Sequence, residues 1–348
     1  MGEFLDNKRY SEIFKELVDE YIETGQPVGS KTISKRMGSS LSSATIRNVM
    51  ADLENLGILC SKHTSSGRKP TEKGWRYFVN TFIEISNDLQ NAYAKHMEMI
   101  EKTSENRDIS TILEQISNML SELSNCASVI LTPTINDKIV RFIEFVLLSP
   151  GKALVIIIFD NGEVENRLIE IARDISGCVL ETASKYLNTR LSGFTLSEIR
   201  DIVHDEFISQ KEGLDEAVND LIMQGIGMWA KEDDNDTDNR RLIVQGLSNL
   251  LSEPSEIGNI KTLFSKLDEK ITIKNLLDES INAQGIQVFI GSENKEFNLE
   301  GCSMIVSPYS NSKNRVIGAI GVIGPARMRY NTLINLVDCT AKLLGKLM

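Results

Sequence analysis

Leu41-Ser42-Ser43-Ala44-Thr45-Ile46-Arg47-Asn48-Val49-Met50-Ala51-Asp52-Leu53-Glu54-Asn55-Leu56-Gly57 is the stretch that decides the reading of this chain. Ile46, Val49, Met50, Leu53 and Leu56 fall at the spacing of one buried helical face. Ser42 and Ser43 stand just before it, where a hydroxyl accepts the orphan N–H groups of a helix start. Gly57 supplies the stop. The opposite face carries Ala44, Thr45, Arg47, Asn48 and Ala51. These are small or hydrogen-bonding groups, not the Glu/Lys mix of an ordinary solvent face, and they suit a close approach to something polar.

Working outward, residues 7–24 place Ile13, Phe14, Leu17, Val18, Tyr21 and Ile22 on one helical stripe that ends at Gly25. Gln26-Pro27-Val28-Gly29 reads as a connector. Ser30 is expected to cap a short helix over 31–37, and Gly38-Ser39-Ser40 to turn into the opening helix. After Gly57, residues 58–62 and 68–71 read as a short hairpin with the polar tip His63-Thr64-Ser65-Ser66-Gly67. Thr71 is expected to cap a helix over about 72–85 that turns Trp75, Phe78, Val79 and Phe82 inward. Three helices and a basic hairpin make a winged helix-turn-helix.

The charge distribution agrees. Residues 28–80 hold nine Lys/Arg against three Asp/Glu, a balance of +6, in a chain of net −11. Residues 1–27 contribute −4, so the remainder carries −13. An acidic body with one basic segment points to a localised anion-binding face. A helix of about 10–12 Å diameter fits the DNA major groove. Arg47 suits a bidentate contact to guanine and Asn48 one to adenine. Ser42, Ser43 and Thr45 suit phosphates, as do the wing residues Lys62, His63, Arg68 and Lys69. The competing reading of this segment is a helical bundle used for protein contacts.

Other chemistries find no support in the sequence. Asp234, Asp236 and Asp238 imitate the start of a calcium loop, but Asn239 and Gln245 stand where glycine and glutamate are needed. Gly318, Gly321 and Gly324 lack a phosphate-loop Lys-Ser/Thr and alternate like a strand, so they are expected to permit close backbone packing. His63, His96 and His204 have no metal spacing. The cysteines (Cys60, Cys126, Cys178, Cys302, Cys339) are scattered, as free thiols of a reducing compartment are. No stretch is long and apolar enough for a membrane helix, and no signal core marks export. The expectation is a cytoplasmic protein that is not an enzyme and has no cofactor.

Beyond the winged helix, residues 86–108 read as a connecting helix and linker, and residues from 109 as an amphipathic helix. Strands are expected at 126–131, 139–148, 152–159 and 163–171. Helical spacing returns over about 176–231, with Thr195-Leu196-Ser197-Glu198 as a capping box. After the polar run 232–239, strands recur at 242–247, 286–291, 302–309 and 315–323. Helical stretches lie near 257–267 and 273–281, and a closing helix spans about 331–347. A sheet interrupted by helices and then resumed implies a discontinuous α+β domain carrying an insertion.

Several of these motifs also resemble a known family. Val18-Asp19-Glu20-Tyr21-Ile22-Glu23-Thr24-Gly25-Gln26-Pro27-Val28-Gly29-Ser30, residues 42–54, His63-Thr64-Ser65-Ser66-Gly67-Arg68, Pro70-Thr71-Glu72-Lys73-Gly74 and Gly321-Val322-Ile323-Gly324-Pro325-Ala326-Arg327-Met328-Arg329-Tyr330 resemble the bacterial heat-inducible transcription repressor HrcA family. Lys69 and Trp75 depart from its usual residues. The resemblance implies a winged helix at 1–85 and a GAF-like α/β domain at 109–171 and 241–348. Into that domain it implies an inserted dimerisation domain at 172–240. It also implies a homodimer on an inverted-repeat operator of chaperone genes, released by heat and modulated by chaperonin. The alternative is a regulator gated by a small molecule in the GAF-like fold.

Overall fold

The computed structural model describes residues 8–61, 67–83, 98, 100, 109–134, 137–160, 162–208, 218, 221, 222, 225, 240–251, 271–282, 285–293, 300–311 and 314–348. The wing tip at 62–66, the connecting helix and linker expected at 86–108 apart from residues 98 and 100, most of the helical stretch expected over 209–231, the polar run 232–239 and the helix expected near 257–267 lie outside these described residues.

The first helix, α1 (Lys8–Thr24), buries Ile13, Phe14, Leu17 and Val18 completely, as its apolar stripe requires. α2 (Ser30–Arg36) follows; its N-cap is Gly29, so Ser30 is the first helical residue and not the expected cap. The Ser34 hydroxyl donates to the Leu41 carbonyl at 2.8 Å and fixes the turn into α3 (Ser43–Asn55). Ile46, Val49, Met50 and Leu53 are the buried face of α3. Gly57, at φ +73, ends the helical path. Strands β1 (Leu59–Cys60) and β2 (Lys69–Pro70) pair antiparallel as the base of the wing. Val28 of the connector joins them by a bridge to Arg68, with N–H···O distances of 2.8 and 2.9 Å. Thr71 caps α4 (Glu72–Phe82) by accepting the Gly74 N–H at 3.1 Å.

A second assembly is built on a five-stranded antiparallel sheet in the order β7-β3-β10-β9-β8. Its strands are β3 (Ala127–Leu131), β7 (Leu242–Gln245), β8 (Gln287–Ile290), β9 (Cys302–Ser310) and β10 (Val316–Pro325). β9 and β10 are buried along most of their length because both sheet faces are covered. α8 (Ile271–Asn282) sets Ile273, Leu276 and Leu277 against Val129, Leu131, Met304 and Val306. α5 (Ile109–Ser124) meets the opposite face, where Ser117 and Ser128 hydroxyls stand 2.7 Å apart. α9 (Tyr330–Leu347) packs on β9 and β10. The glycines of β10 act as the sequence suggests: a Cβ on Gly321 would stand 2.3 Å from the Ile305 carbonyl oxygen.

The chain leaves this sheet at Leu131 and returns at Leu242, and those two residues are register partners. The excursion, Thr132–Arg241, forms a separate compact unit together with Ser104–Leu113. The excursion ends within one residue of the expected edge at 240 but begins 40 residues before the expected edge at 172. The strands β4 (Val140–Ser149), β5 (Lys152–Phe159) and β6 (Val164–Glu170) do not extend the first sheet; they form a three-stranded sheet of their own. The physical reason lies at the edge of β4. α6 (Gly177–Leu191) satisfies the free edge of β4: Asn188 accepts the Ile143 N–H at 2.8 Å and donates to its carbonyl at 2.7 Å, and Ser184 accepts the Phe145 N–H at 3.0 Å. α7 (Leu196–Ile208) opens on the expected capping box, with Thr195 N–H to Glu198 at 2.8 Å and Glu198 N–H to Thr195 Oγ1 at 3.2 Å.

Candidate nucleic-acid interface

The start of α3 is the centre of the candidate site. Ser42 is extended at ψ 148 and its Oγ accepts the Thr45 N–H at 3.1 Å. The Ser42 and Thr45 hydroxyls also lie 2.9 Å apart, so the two hold each other while capping the helix. Ser43, the first helical residue, is half-buried. Ala44, Arg47 and Asn48 are exposed on the outward side. Among the described residues, Arg47 and Asn48 are engaged by no other side chain. A rigid cap thus presents a guanidinium and an amide from the first two turns of a helix whose other face is the domain core.

Behind the outward face of α3, Tyr10 of α1 donates to Asp52 at 2.7 Å and pins α3 to α1. On α2, Arg36 is consumed by an acidic fork. Its nitrogens lie 2.9 Å from Glu16 and 2.8 Å from both Glu20 and Glu23. Glu23, foremost, and then the other two carboxylates raise the Arg36 pKa further above its ordinary value. Lys31 and Lys35 remain exposed on the same short helix. In a helix-turn-helix that first helix crosses the DNA backbone. Both lysines belong to the candidate site although the sequence reading did not single them out. The signal was the helix-turn-helix plan itself, which gives the helix before the reader a backbone-crossing role.

The wing residues divide. Lys62 and His63 lie outside the described residues. Lys69 sits half-buried on β2 opposite Cys60, whose thiol is pushed up by burial. Arg68 does not project as a solvated cation: its Nε lies 2.9 Å from Glu54 of α3 and its side chain is only 14% exposed. Ser61 donates to the other Glu54 oxygen at 2.6 Å. That hydroxyl, with Arg68 behind it, holds the Glu54 carboxyl below its ordinary value against the opposing effect of burial. Arg68 therefore ties the base of the wing to α3, a role the charge count could not separate from phosphate contact.

Three helices, a short β-wing and an outward polar helix start define the winged helix-turn-helix class of DNA-binding domain. Residues 7–84 match the family model described as winged helix-turn-helix transcription repressor, HrcA DNA-binding, and residues 110–334 match the HrcA protein C terminal domain. Curated relatives named heat-inducible transcription repressor HrcA are similar along nearly the whole chain. The one from Sinorhizobium fredii (strain NBRC 101917 / NGR234) is 37% identical over 344 residues, covering 98% of this chain and 95% of its own. The one from Bradyrhizobium sp. (strain ORS 278) is 38% identical over 345 residues, covering 98% and 94%. The chain belongs to the heat-inducible transcription repressor HrcA family, a family of DNA-binding regulators and not of enzymes. A crystal structure described as a hypothetical protein at 2.2 Å resolution shares the fold, with 24% identity, TM-score 0.58 and coverage of 98% and 97%.

Proposed function

We propose that this chain is a cytoplasmic homodimeric repressor that binds an inverted-repeat operator of chaperone genes and blocks their transcription until heat releases it. The observation that carries the reading is the capped start of α3, with Arg47 and Asn48 presented outward on a rigid helix. In the proposed complex each α3 enters a major groove, and the two grooves lie about 34 Å apart or a multiple of that. Arg47 and Asn48 read base edges, whereas Ser42, Ser43, Thr45, Lys31 and Lys35 position the phosphates. Lys69, with Lys62 and His63, contacts backbone beside the groove.

One winged helix covers one half-site, so an inverted repeat calls for a second copy of the chain. The proposed dimer face is the outer side of the β4-β5-β6 sheet. The inner side is core: Ile143, Phe145, Val155, Ile157 and Ile169 face the helices. The outer side is apolar too, with Phe142, Leu148, Val164 and Leu168 exposed at 40, 56, 55 and 48%. Cross-strand partners Phe142 and Ile158, and Ile158 and Val164, make it continuous. A contiguous apolar face of this kind marks an association site. On this reading the inserted unit is the dimerising domain and the five-stranded sheet with its helices is the GAF-like domain.

The alternative, gating by a small molecule in the GAF-like domain, is not favoured by the family. Several of its buried polar groups also serve one another: Ser117 with Ser128, Tyr309 with the Leu131 carbonyl at 2.8 Å, and Ser303 with Tyr330 at 2.7 Å. Footprinting of the full chain on chaperone promoters, with and without chaperonin, tests the proposal. The expected result is protection of an inverted repeat that chaperonin strengthens and heating abolishes. Uniform, sequence-independent protection would overturn it.

A further inference from the structure

Two motifs from opposite ends of the sequence meet in space. One closes α1 at Thr24-Gly25-Gln26; the other, Pro325-Ala326-Arg327-Met328-Arg329-Tyr330, joins β10 to α9. Arg327 Nη1 donates to the Ile22 carbonyl at 2.9 Å. Ile22 lies in the last turn of α1, where carbonyls lack a partner further along the helix. A cation there also meets the negative end of the helix dipole. Gly25, at φ +68, leaves the room: a Cβ on it would stand 3.0 Å from Arg327 Cζ.

Two more ties lie beside this one. Tyr330, fully buried, donates its hydroxyl to the Ala326 carbonyl at 2.8 Å and sets its ring 5.6 Å from Trp75 of α4, which in turn stands 6.1 Å from Tyr21 of α1. On the solvent side, Arg76 of α4 pairs with Glu293 and donates to the Val288 carbonyl at 2.6 Å, while Glu72 accepts the Ser292 hydroxyl at 2.7 Å. The winged helix is therefore seated on the five-stranded assembly by a cation on a helix end, an aromatic column and a surface ion pair.

We propose that Arg327 is a positioning residue for operator recognition: by clamping the end of α1 it fixes the angle of α3, and with it the half-site spacing that the dimer accepts. This rests on the operator reading above. A reader on a loose tether samples many separations and gains little from its partner at any of them. A seated reader concentrates the second contact at one spacing.

The test compares full-length parent, Arg327→Ala and Arg327→Gln in two ways. Without DNA, hydrogen exchange is expected to speed up about fivefold or more at the last turn of α1 and in α4, and to stay unchanged in α3. With DNA, affinity for the naturally spaced repeat is expected to fall roughly tenfold, affinity for a single half-site by less than about twofold, and discrimination against repeats lengthened or shortened by two base pairs to narrow. Arg327→Gln, which fills the space but loses charge and reach, gives the same pattern at smaller size and serves if the alanine variant does not fold. Parental exchange at α1, or parental spacing discrimination, overturns the proposal. If the parent itself binds no inverted repeat, the operator reading fails, and the exchange result alone decides whether Arg327 holds α1.

Discussion

The two sheets of this protein are built from similar residues and end in opposite situations. β9 and β10 bury nearly every position because helices cover both faces. β5 buries alternate positions, as a one-sided sheet should, and β4 and β6 bury Val140, Ile143, Phe145 and Ile169 on the same side, yet Phe142, Leu148, Val164 and Leu168 on the open side are apolar. On the proposed reading a second copy of the chain covers this apolar open face. Composition alone does not distinguish a sheet covered on both faces from one with an open apolar face; the helices around each sheet do.

Charges placed on the two sheets break the comparison most directly. Val306→Asp puts a carboxylate where the residue is completely buried, and the chain is expected not to fold, seen as a lost thermal transition. Leu168→Asp on the open face is expected to keep the parental far-UV spectrum but to sediment as a monomer. Its affinity for a full inverted repeat should fall by about 10²-fold or more. A Leu168→Asp protein that stays dimeric removes that face from the interface.

The wing sharpens the same contrast between groups that build and groups that bind. Arg68→Ala is expected to lower winged-helix stability by about 1.5–3 kcal/mol, because Glu54 loses a charged hydrogen bond. The Glu54 effect has a definite pH window. Its folded carboxyl lies below the ordinary 4.5, so the stabilisation is complete above that value and is lost as pH falls through the lowered one. Glu54→Gln should therefore melt lower than the parent near pH 7 and converge with it in acid. A difference that persists at pH 2 contradicts the assignment. The smallest effect belongs to Lys69→Ala, which should lower the salt dependence of DNA binding by at most about one unit and leave base preference intact.

How far the sequence reached follows from the range of each interaction. α3 was legible almost to the residue, because its stripe, cap and stop are local. The helix expected from the apolar stripe is observed as Ser43–Asn55, with Ser42 as cap and Gly57 turning out of it. The capping box at Thr195 and Glu198 was legible for the same reason. Sheet membership was not: whether residues 139–171 join one sheet or found another depends on which edge Asn188 and Ser184 occupy, about 40 residues away. The role of Arg68 was hidden likewise, since a wing cation paired with Glu54 and one facing phosphate look alike in a charge count. The meeting of Arg327 with Ile22 spans 305 positions, and no local pattern encodes it.

The central claim, that the capped start of α3 reads an operator, rests most heavily on Arg47. The direct measurement is the affinity ratio between an inverted-repeat operator and a scrambled duplex, at one fixed salt concentration, for the parent and for Arg47→Ala. The parent is expected to prefer the operator strongly, and the variant to lose about 1–3 kcal/mol of that preference, a factor of roughly 5 to 150, with an unchanged melting temperature. An Arg47→Ala protein with the parental ratio would contradict the account.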